Sequence, residues 1–319
     1  MTLRYCILVL ALLAPGAASA AEPLELSSRQ VHLNTEDRTE DRVGALVWRG
    51  GIEIFSKDED FGGLSGLLVS ADRARLTTVS DRGRWITARL VYDAEGWLAG
   101  VAGGRIGALA GPDGKRLKGK RHKDAESLAA RSDGSLLVSF EHEHRILRYP
   151  RAFARPPAVL DPPPDLPDLP NNKGLEALVV LDGGRLLGIT QGRDKDEDIA
   201  AFLRQDGHWS RLSYPKHGEF KPTGATVLPD GDLLVLERRF TWLGGPAARL
   251  VVVEAKQVRP GAVLEGREIA EIRLPYTVDN MEGIAARRGP KGETLIYLLS
   301  DDNFSALQRT LLLMFALEE

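Results

Sequence analysis

Asp124-Ala-Glu-Ser-Leu128, followed by Asp133-Gly134 and then Leu136-Leu-Val-Ser139, is the stretch that decides the fold. Asp-Gly between two apolar, β-branched runs marks a hairpin, because glycine adopts the left-handed backbone that a tight turn between twisted strands requires. The same layout recurs outward along the chain as Gly63-Leu-Ser-Gly-Leu67, Gly174-Leu-Glu-Ala-Leu178, Pro222-Thr-Gly-Ala-Thr226 and Asn280-Met-Glu-Gly-Ile284, with further turns at Asp182-Gly183 and Asp230-Gly231. The third positions of these phrases are 65, 126, 176, 224 and 282, at intervals of 61, 50, 48 and 58 residues. A third apolar run follows each pair, for example Ile146–Tyr149 and Leu250–Val253, and Trp97–Val101, Trp209–Leu212 and Ile269–Leu274 are candidate fourth strands. Four antiparallel strands at a period near 50 residues predict an all-β chain folded as a β-propeller of four-stranded blades. The last unit ends after its third strand, so Gly51-Ile-Glu-Ile-Phe55 is expected to close the ring as an N-terminal strand. Five blades are counted directly, and the stretch from Leu24 to Trp48 leaves room for six. The Pro-rich run Pro156–Pro170 is read as a stiff loop rather than a domain linker, because the repeat resumes at Gly174.

Composition narrows the class. Of 319 residues, 43% are apolar and 27% charged, which excludes wholesale disorder and a multi-span membrane protein. Forty-two Lys and Arg against 45 Asp and Glu, a net charge of -3, argue against a nucleic-acid binder. Arg4, the apolar run Cys6–Leu13 and Ala18-Ser-Ala20 have the layout of a secretory signal peptide, so residues 1–20 are expected to be cleaved before Ala21. That apolar run is too short to span a bilayer, which needs about 20 residues. Residues 21–319 are then a single domain, periplasmic or secreted, monomeric and without stable membrane insertion. Cleavage also removes Cys6, the one cysteine, and with it any disulfide or thiol catalysis.

Hairpin geometry gives the acidic residues a common destination. The start of each first strand and the end of its returning partner share one end of the hairpin. This pairs Ser65 with Asp81, Glu126 with Glu141, Glu176 with Gln191, Gly224 with Glu237, and Glu282 with Asp301. Since first strands line a propeller's channel, Asp81, Glu126, Glu141, Glu176, Glu237, Glu282 and Asp301 are expected at one mouth. Crowded carboxylates raise one another's pKa unless a cation sits among them. Calcium, which takes six to eight oxygen ligands, is the expected ion. The competing reading is an ion-pair network with the neighbouring basic residues. Those residues, Arg82, Lys123, Lys173, Arg193, Lys221 and Arg238 among them, are also expected to form a clamp for an anionic group.

Other motifs offer less. Ser65 in Gly-Leu-Ser-Gly lacks the final glycine of a nucleophile elbow, since position 67 is Leu. Glu141-His-Glu-His144 puts two His on one face of a strand without enough ligands for zinc, and reads as a solvated blade edge. The five Trp are scattered and read as core. No P-loop or complete dinucleotide fingerprint is present.

Phe61-Gly-Gly-Leu-Ser-Gly-Leu67, Val79-Ser-Asp-Arg-Gly83, the Glu126 and Glu141 unit, Asn172-Lys-Gly-Leu-Glu-Ala-Leu178 and Asn280-Met-Glu-Gly-Ile284 together resemble the bacterial secreted phytase-like family, "esterase-like activity of phytase". The resemblance runs from about Gly51 to the C-terminus and implies a hydrolase of phosphate or carboxylic esters. The expected function is therefore metal-dependent hydrolysis of a small anionic ester, with Glu126 or Glu176 as the base. The alternatives are a non-catalytic ligand- or partner-binding propeller with a structural metal, and a lactonase-type hydrolase.

Overall fold

The computed structural model describes residues 21–150, 153–166, 169–193 and 198–318. The expected leader lies outside these residues. Five blades surround a channel. Their inner strands are Leu64–Val69, Ala125–Ala130, Leu175–Val180, Lys221–Val227 and Asn280–Arg288. Each inner strand packs against the next, and the fifth packs back against the first. In blades 1 to 4 the strands run outward in chain order, ending on Leu98–Ala108, Ala158–Leu160, His208–Pro215 and Arg267–Arg273. Blade 5 takes Thr294–Asp301 and Leu311–Leu317 from the C-terminal end, and its outer strand is Leu46–Phe55, antiparallel to Leu311–Leu317. Among the described residues there is no sixth blade: Glu22–Leu24 pairs with the outer edge of blade 1, and Ser27–Gln30 and Arg42–Val43 pair with Leu46–Phe55.

Part of the Pro-rich run departs from expectation. Ala158–Leu160 is the outer strand of blade 2, with prolines on either side. An edge strand tolerates flanking proline because one row of its N–H groups has no ladder partner to lose. No helix among the described residues is long and apolar enough to cross a membrane.

Apolar side chains from facing blades form the core as five clusters, one per blade interface. Leu67, Leu76 and Ile86 of blade 1, for instance, meet Tyr297 and Leu312 of blade 5. The buried tyrosine hydroxyls are satisfied: Tyr149 donates to the Ala110 carbonyl at 2.8 Å, and those of Tyr92 and Tyr297 lie 3.0 Å apart. Trp48 and Trp85 are core, packed on Phe315 and Phe153 at 5.2 and 5.4 Å between ring centroids. Trp97, 38% exposed, is not, nor is Trp242, 92% exposed at a hairpin tip where no facing blade covers it.

One irregularity recurs and positions the site. In blade 2 Ser127 faces Ser139 but Ala125 faces Phe140, leaving Glu126 as an extra, bulged residue. Glu176 and Glu282 are left over in the same way between Leu175 and Ala177 and between Met281 and Gly283. In blade 4 the extra residue is Thr223, between Pro222 and Gly224. Bulges re-aim a side chain locally, and here they turn Glu126, Glu176, Glu282 and Thr223 at the channel mouth.

The blade 4 register corrects one expectation. Aligning Gly224 with the glutamates is wrong by one residue, so Glu237 faces Pro222 and Arg238 faces Lys221. A one-residue slip sends a strand's side chains to the opposite face. Glu237 accordingly leaves the mouth, is fully buried, accepts a hydrogen bond from the Tyr214 hydroxyl at 2.8 Å and one from Arg249 Nε at 2.7 Å. The ion pair with Arg249 lies within the blade 4 sheet, where the two residues are directly opposed, and the Tyr214 hydrogen bond links that sheet to blade 3.

Two stability outcomes follow. Gly66, at φ +64, would place a Cβ 2.7 Å from the Leu128 backbone nitrogen of blade 2. Gly66→Ala should therefore cost more in denaturant unfolding than Gly231→Ala: both glycines hold positive φ, +64 and +101, and share a backbone strain of about 1–3 kcal/mol, but Gly231 meets nothing within 4 Å whereas Gly66 adds a clash worth about 1–3 kcal/mol. Arg249→Met, which strands the buried Glu237 carboxylate, should cost about 3–5 kcal/mol, and adding Glu237→Leu should recover much of it.

Candidate functional site

The mouth is built from equivalent positions of successive blades. The bulge supplies Glu126, Glu176 and Glu282, with Thr223 in blade 4 and Ser65 at the start of the irregular stretch in blade 1. The ends of the second strands supply Asp81, Glu141, Gln191, Arg238 and Asp301: Asp81 N donates to Gly63 O, Glu141 N to Asp124 O and Gln191 N to Gly174 O, Asn280 faces Asp301, and Arg238 faces Lys221, one residue before its phrase. Six of the seven expected carboxylates thus come together, and Glu237 does not.

Their mutual influence records the convergence. Burial raises the Glu126 pKa well above the usual carboxylate range, and the Glu176, Glu141, Asp124 and Glu282 charges add to it. Glu176 is raised in the same way by burial, then by Glu282 and Glu141, and its carboxyl shares a hydrogen bond with Glu141. Burial pushes Asp301 up to about 8, with Glu282 and Asp81 contributing, against the Asn303 N–H that donates to it at 2.7 Å. Asp81 rises to about 6 through burial and the Asp124 charge. Glu282, also raised by burial, is held down by Arg238, whose Nε lies 2.9 Å from its Oε1, and by the Asn280 side-chain amide at 3.1 Å.

Asp124, His142, Lys120 and Asn280 belong to the site although the repeat did not single them out. His142 Nε2 lies 3.0 Å from Asp124 Oδ2. One ligand atom each of Asp124, Glu141 and His142 lie within 4.8 Å of one another. The available signal was Asp124 itself, two residues before Glu126 and directly across from Glu141. Reading Glu141–His144 as a strand concealed His142. The strand ends at Phe140 and His142 has φ +60, so the chain turns and its histidines separate: His144 Nε2 lies 3.0 Å from the Pro170 carbonyl, and Glu143 pairs with His122 at 2.6 Å.

The basic residues divide. Arg238 sits among the carboxylates, its positive charge favoured first by Glu282 and then by Glu176 and Asp301. Burial raises the pKa of Asp81 and Asp124, and Lys123, with Lys120, offsets part of that rise. Arg82 lies 3.4 Å from the centroid of the Phe304 ring and donates to the Glu59 carbonyl. Lys173 donates to Gln191 Oε1 at 2.6 Å, Lys221 lies opposite Arg238, and Arg193 is exposed on the rim.

A hard cation suits this donor set. Its ligands are almost all carboxylate oxygens, and Asp81 Oδ1 is buried with no hydrogen-bond partner. A buried acceptor left without a donor is costly and marks a position where an ion can complete its shell. Chemically, the mouth offers oxygen ligands, carboxylates of raised proton affinity, and cations beside them.

A search of curated proteins found no match. Among solved structures, a gluconolactonase from Xanthomonas campestris is 16% identical with a TM-score of 0.47, covering 96% of this chain and 98% of that one. A protein of unknown function from Dyadobacter fermentans is 12% identical with a TM-score of 0.46, covering 96% of each chain. Virginiamycin B lyase from Staphylococcus aureus is 12% identical with a TM-score of 0.41, covering 88% and 87%. The family model "Phytase-like: Esterase-like activity of phytase" matches residues 59–304, which span all five inner strands and every mouth residue named above, and the chain therefore belongs to the phytase-like family.

Proposed function

We propose that this protein is an exported, calcium-dependent hydrolase of small anionic phosphate or carboxylic esters, acting at the acidic mouth of the propeller. The observation that carries the reading is the convergence of Glu126, Glu176 and Glu282 from three blades, with Asp81, Glu141 and Asp301 beside them. Membership of the phytase-like family supports ester hydrolysis, and the leader-like residues 1–20 support export.

Asp81, Glu126, Glu141, Glu176, Glu282 and Asp301 would hold the ion, joined by Asp124. A bound calcium supplies Lewis-acid polarisation of the ester oxygen. The chain's own groups do the rest. Glu126 or Glu176 takes a proton from the attacking water, and burial raises the proton affinity of both carboxylates, which strengthens them as bases. Glu141, hydrogen-bonded to Glu176, orients that carboxyl. Lys123 and Arg238, on different sides of the ring, hold the substrate's anionic group, with Arg82, Lys173, Arg193 and Lys221 around them. A lactone is an internal carboxylic ester and falls within the same chemistry.

Hydrolysis of p-nitrophenyl phosphate and p-nitrophenyl acetate by residues 21–319, with calcium or with chelator, tests this. Turnover of at least one should require calcium and fall about 10²–10⁴-fold in Glu126→Gln or Glu176→Gln. No metal-dependent turnover of either would leave the non-catalytic binding propeller as the better account.

The pH dependence has a defined sign. Asp81 and Asp301, at about 6 and about 8, bind protons more tightly in the folded protein than their unfolded value near 4 allows. Their contribution to stability is full below the unfolded value and is lost as pH rises through the folded one. Without divalent cations, the melting temperature should therefore fall between about pH 5 and about pH 8. Calcium should reduce that fall and Asp301→Asn should flatten it, both read by differential scanning calorimetry.

A further inference from the structure

Two features of the mouth-side surface extend beyond the groups used above. The first is a cleft of about 550 Å³ between blades 4 and 5, within the range of small-molecule sites. Phe240, Pro246 and Leu307 give it an apolar wall, and Arg238 and Asn280 form its inner end. Those two residues also contact Glu282, so the cleft opens directly onto the acidic ring. Phe240 is 67% exposed and Leu307 94%, an unusual placement for large apolar side chains at the edge of a polar site. The second feature is Lys115-Arg-Leu-Lys-Gly-Lys-Arg-His-Lys123, which carries six Lys and Arg in nine residues of a chain whose net charge is -3. It lies in the connection that crosses the mouth face from the outer strand of blade 1 to the inner strand of blade 2. Its inner end, Lys120 and Lys123, reaches Asp81 and Asp124. Lys118 and Arg121 are exposed and have no ion-pair partner among the described residues. In a five-bladed ring, the junction of blades 4 and 5 is across the mouth from blade 2.

We propose that the substrate is an amphiphilic ester whose anionic group is held by the basic segment and whose apolar group lies in the cleft between blades 4 and 5, placing the ester over the ring. This rests on the hydrolase reading above and adds the substrate class. A compact polyanion would leave the apolar wall without a partner. A neutral apolar ester would leave the basic segment unused. An ester carrying one group of each kind contacts both and crosses the carboxylates with its least charged portion, where the repulsion of an anion is smallest.

The test is calorimetric titration of the calcium-loaded protein with octyl phosphate, below its micellar concentration, and with methyl phosphate and octanol. Octyl phosphate should bind at least about tenfold more tightly than either control. Phe240→Ser with Leu307→Ser should bring the octyl-to-methyl affinity ratio to about one, and Lys118→Glu with Arg121→Glu should weaken both phosphates. These side chains are exposed, and melting temperatures of the variants confirm folding. An octyl-to-methyl ratio near one in the unmodified protein, an unchanged ratio in the Phe240 and Leu307 variant, or undiminished phosphate binding in the charge variant each overturns the proposal. Binding in this pattern without hydrolysis would refute the hydrolase reading alone. Calcium-dependent hydrolysis of both phosphates with equal affinity would refute the amphiphile proposal alone.

Discussion

Repulsion among carboxylates that the fold brings to one axis is the constraint on which the rest of this structure depends. A propeller places the same position of every blade around its channel, so an acidic residue in a repeat is multiplied at the mouth. Here Glu126, Glu176 and Glu282 meet with Asp81, Asp124, Glu141 and Asp301, with Arg238 set among them and Lys120 and Lys123 beside Asp81 and Asp124. Seven carboxylates against Arg238, Lys120 and Lys123 leave an excess of negative charge in a poorly solvated space. The excess is relieved by protons, which is why burial and neighbouring charge raise these pKa values, or by a cation. The two compete for the same oxygens.

Blade 4 shows how the fold tempers that charge. Thr223 replaces the bulged glutamate and Arg238 replaces the second-strand acid, so this blade brings a cation where the others bring anions or neutral groups. Glu237, one residue earlier, joins Tyr214 and Arg249 in the interface between sheets. Adjacent residues of one strand thus serve different ends: Arg238 sets the charge of the mouth, and Glu237 ties blade 4 to blade 3.

Much of this was legible in the sequence for a physical reason. Asp133-Gly134, Asp182-Gly183 and Asp230-Gly231 fix hairpins locally, and the glycines do take positive φ. Recurrence at intervals of 48 to 61 residues then fixes the blades, and hairpin length fixes which carboxylates share an end. What the spacing did not carry was the bulge. Counting back from Gly231 cannot distinguish Thr223 from Gly224 as the extra residue, because both flank a small side chain and neither is charged. That single residue of register decided the fate of Glu237. His142 was hidden by a related cause, since its left-handed backbone is imposed by the turn after Phe140 and has no glycine to announce it. Ala158–Leu160 was obscured by the prolines around it, which mark an edge rather than the absence of a strand.

Direct metal analysis of residues 21–319, purified in calcium and exchanged into metal-free buffer, reaches the centre of this account. An equimolar amount of tightly held calcium, absent when Glu126, Glu176 and Glu282 are together changed to Gln, is the predicted result. A folded, unmodified protein that retains no divalent ion and gains no thermal stability from added calcium would contradict it, and would mean that Arg238 and bound protons suffice to hold the carboxylates together.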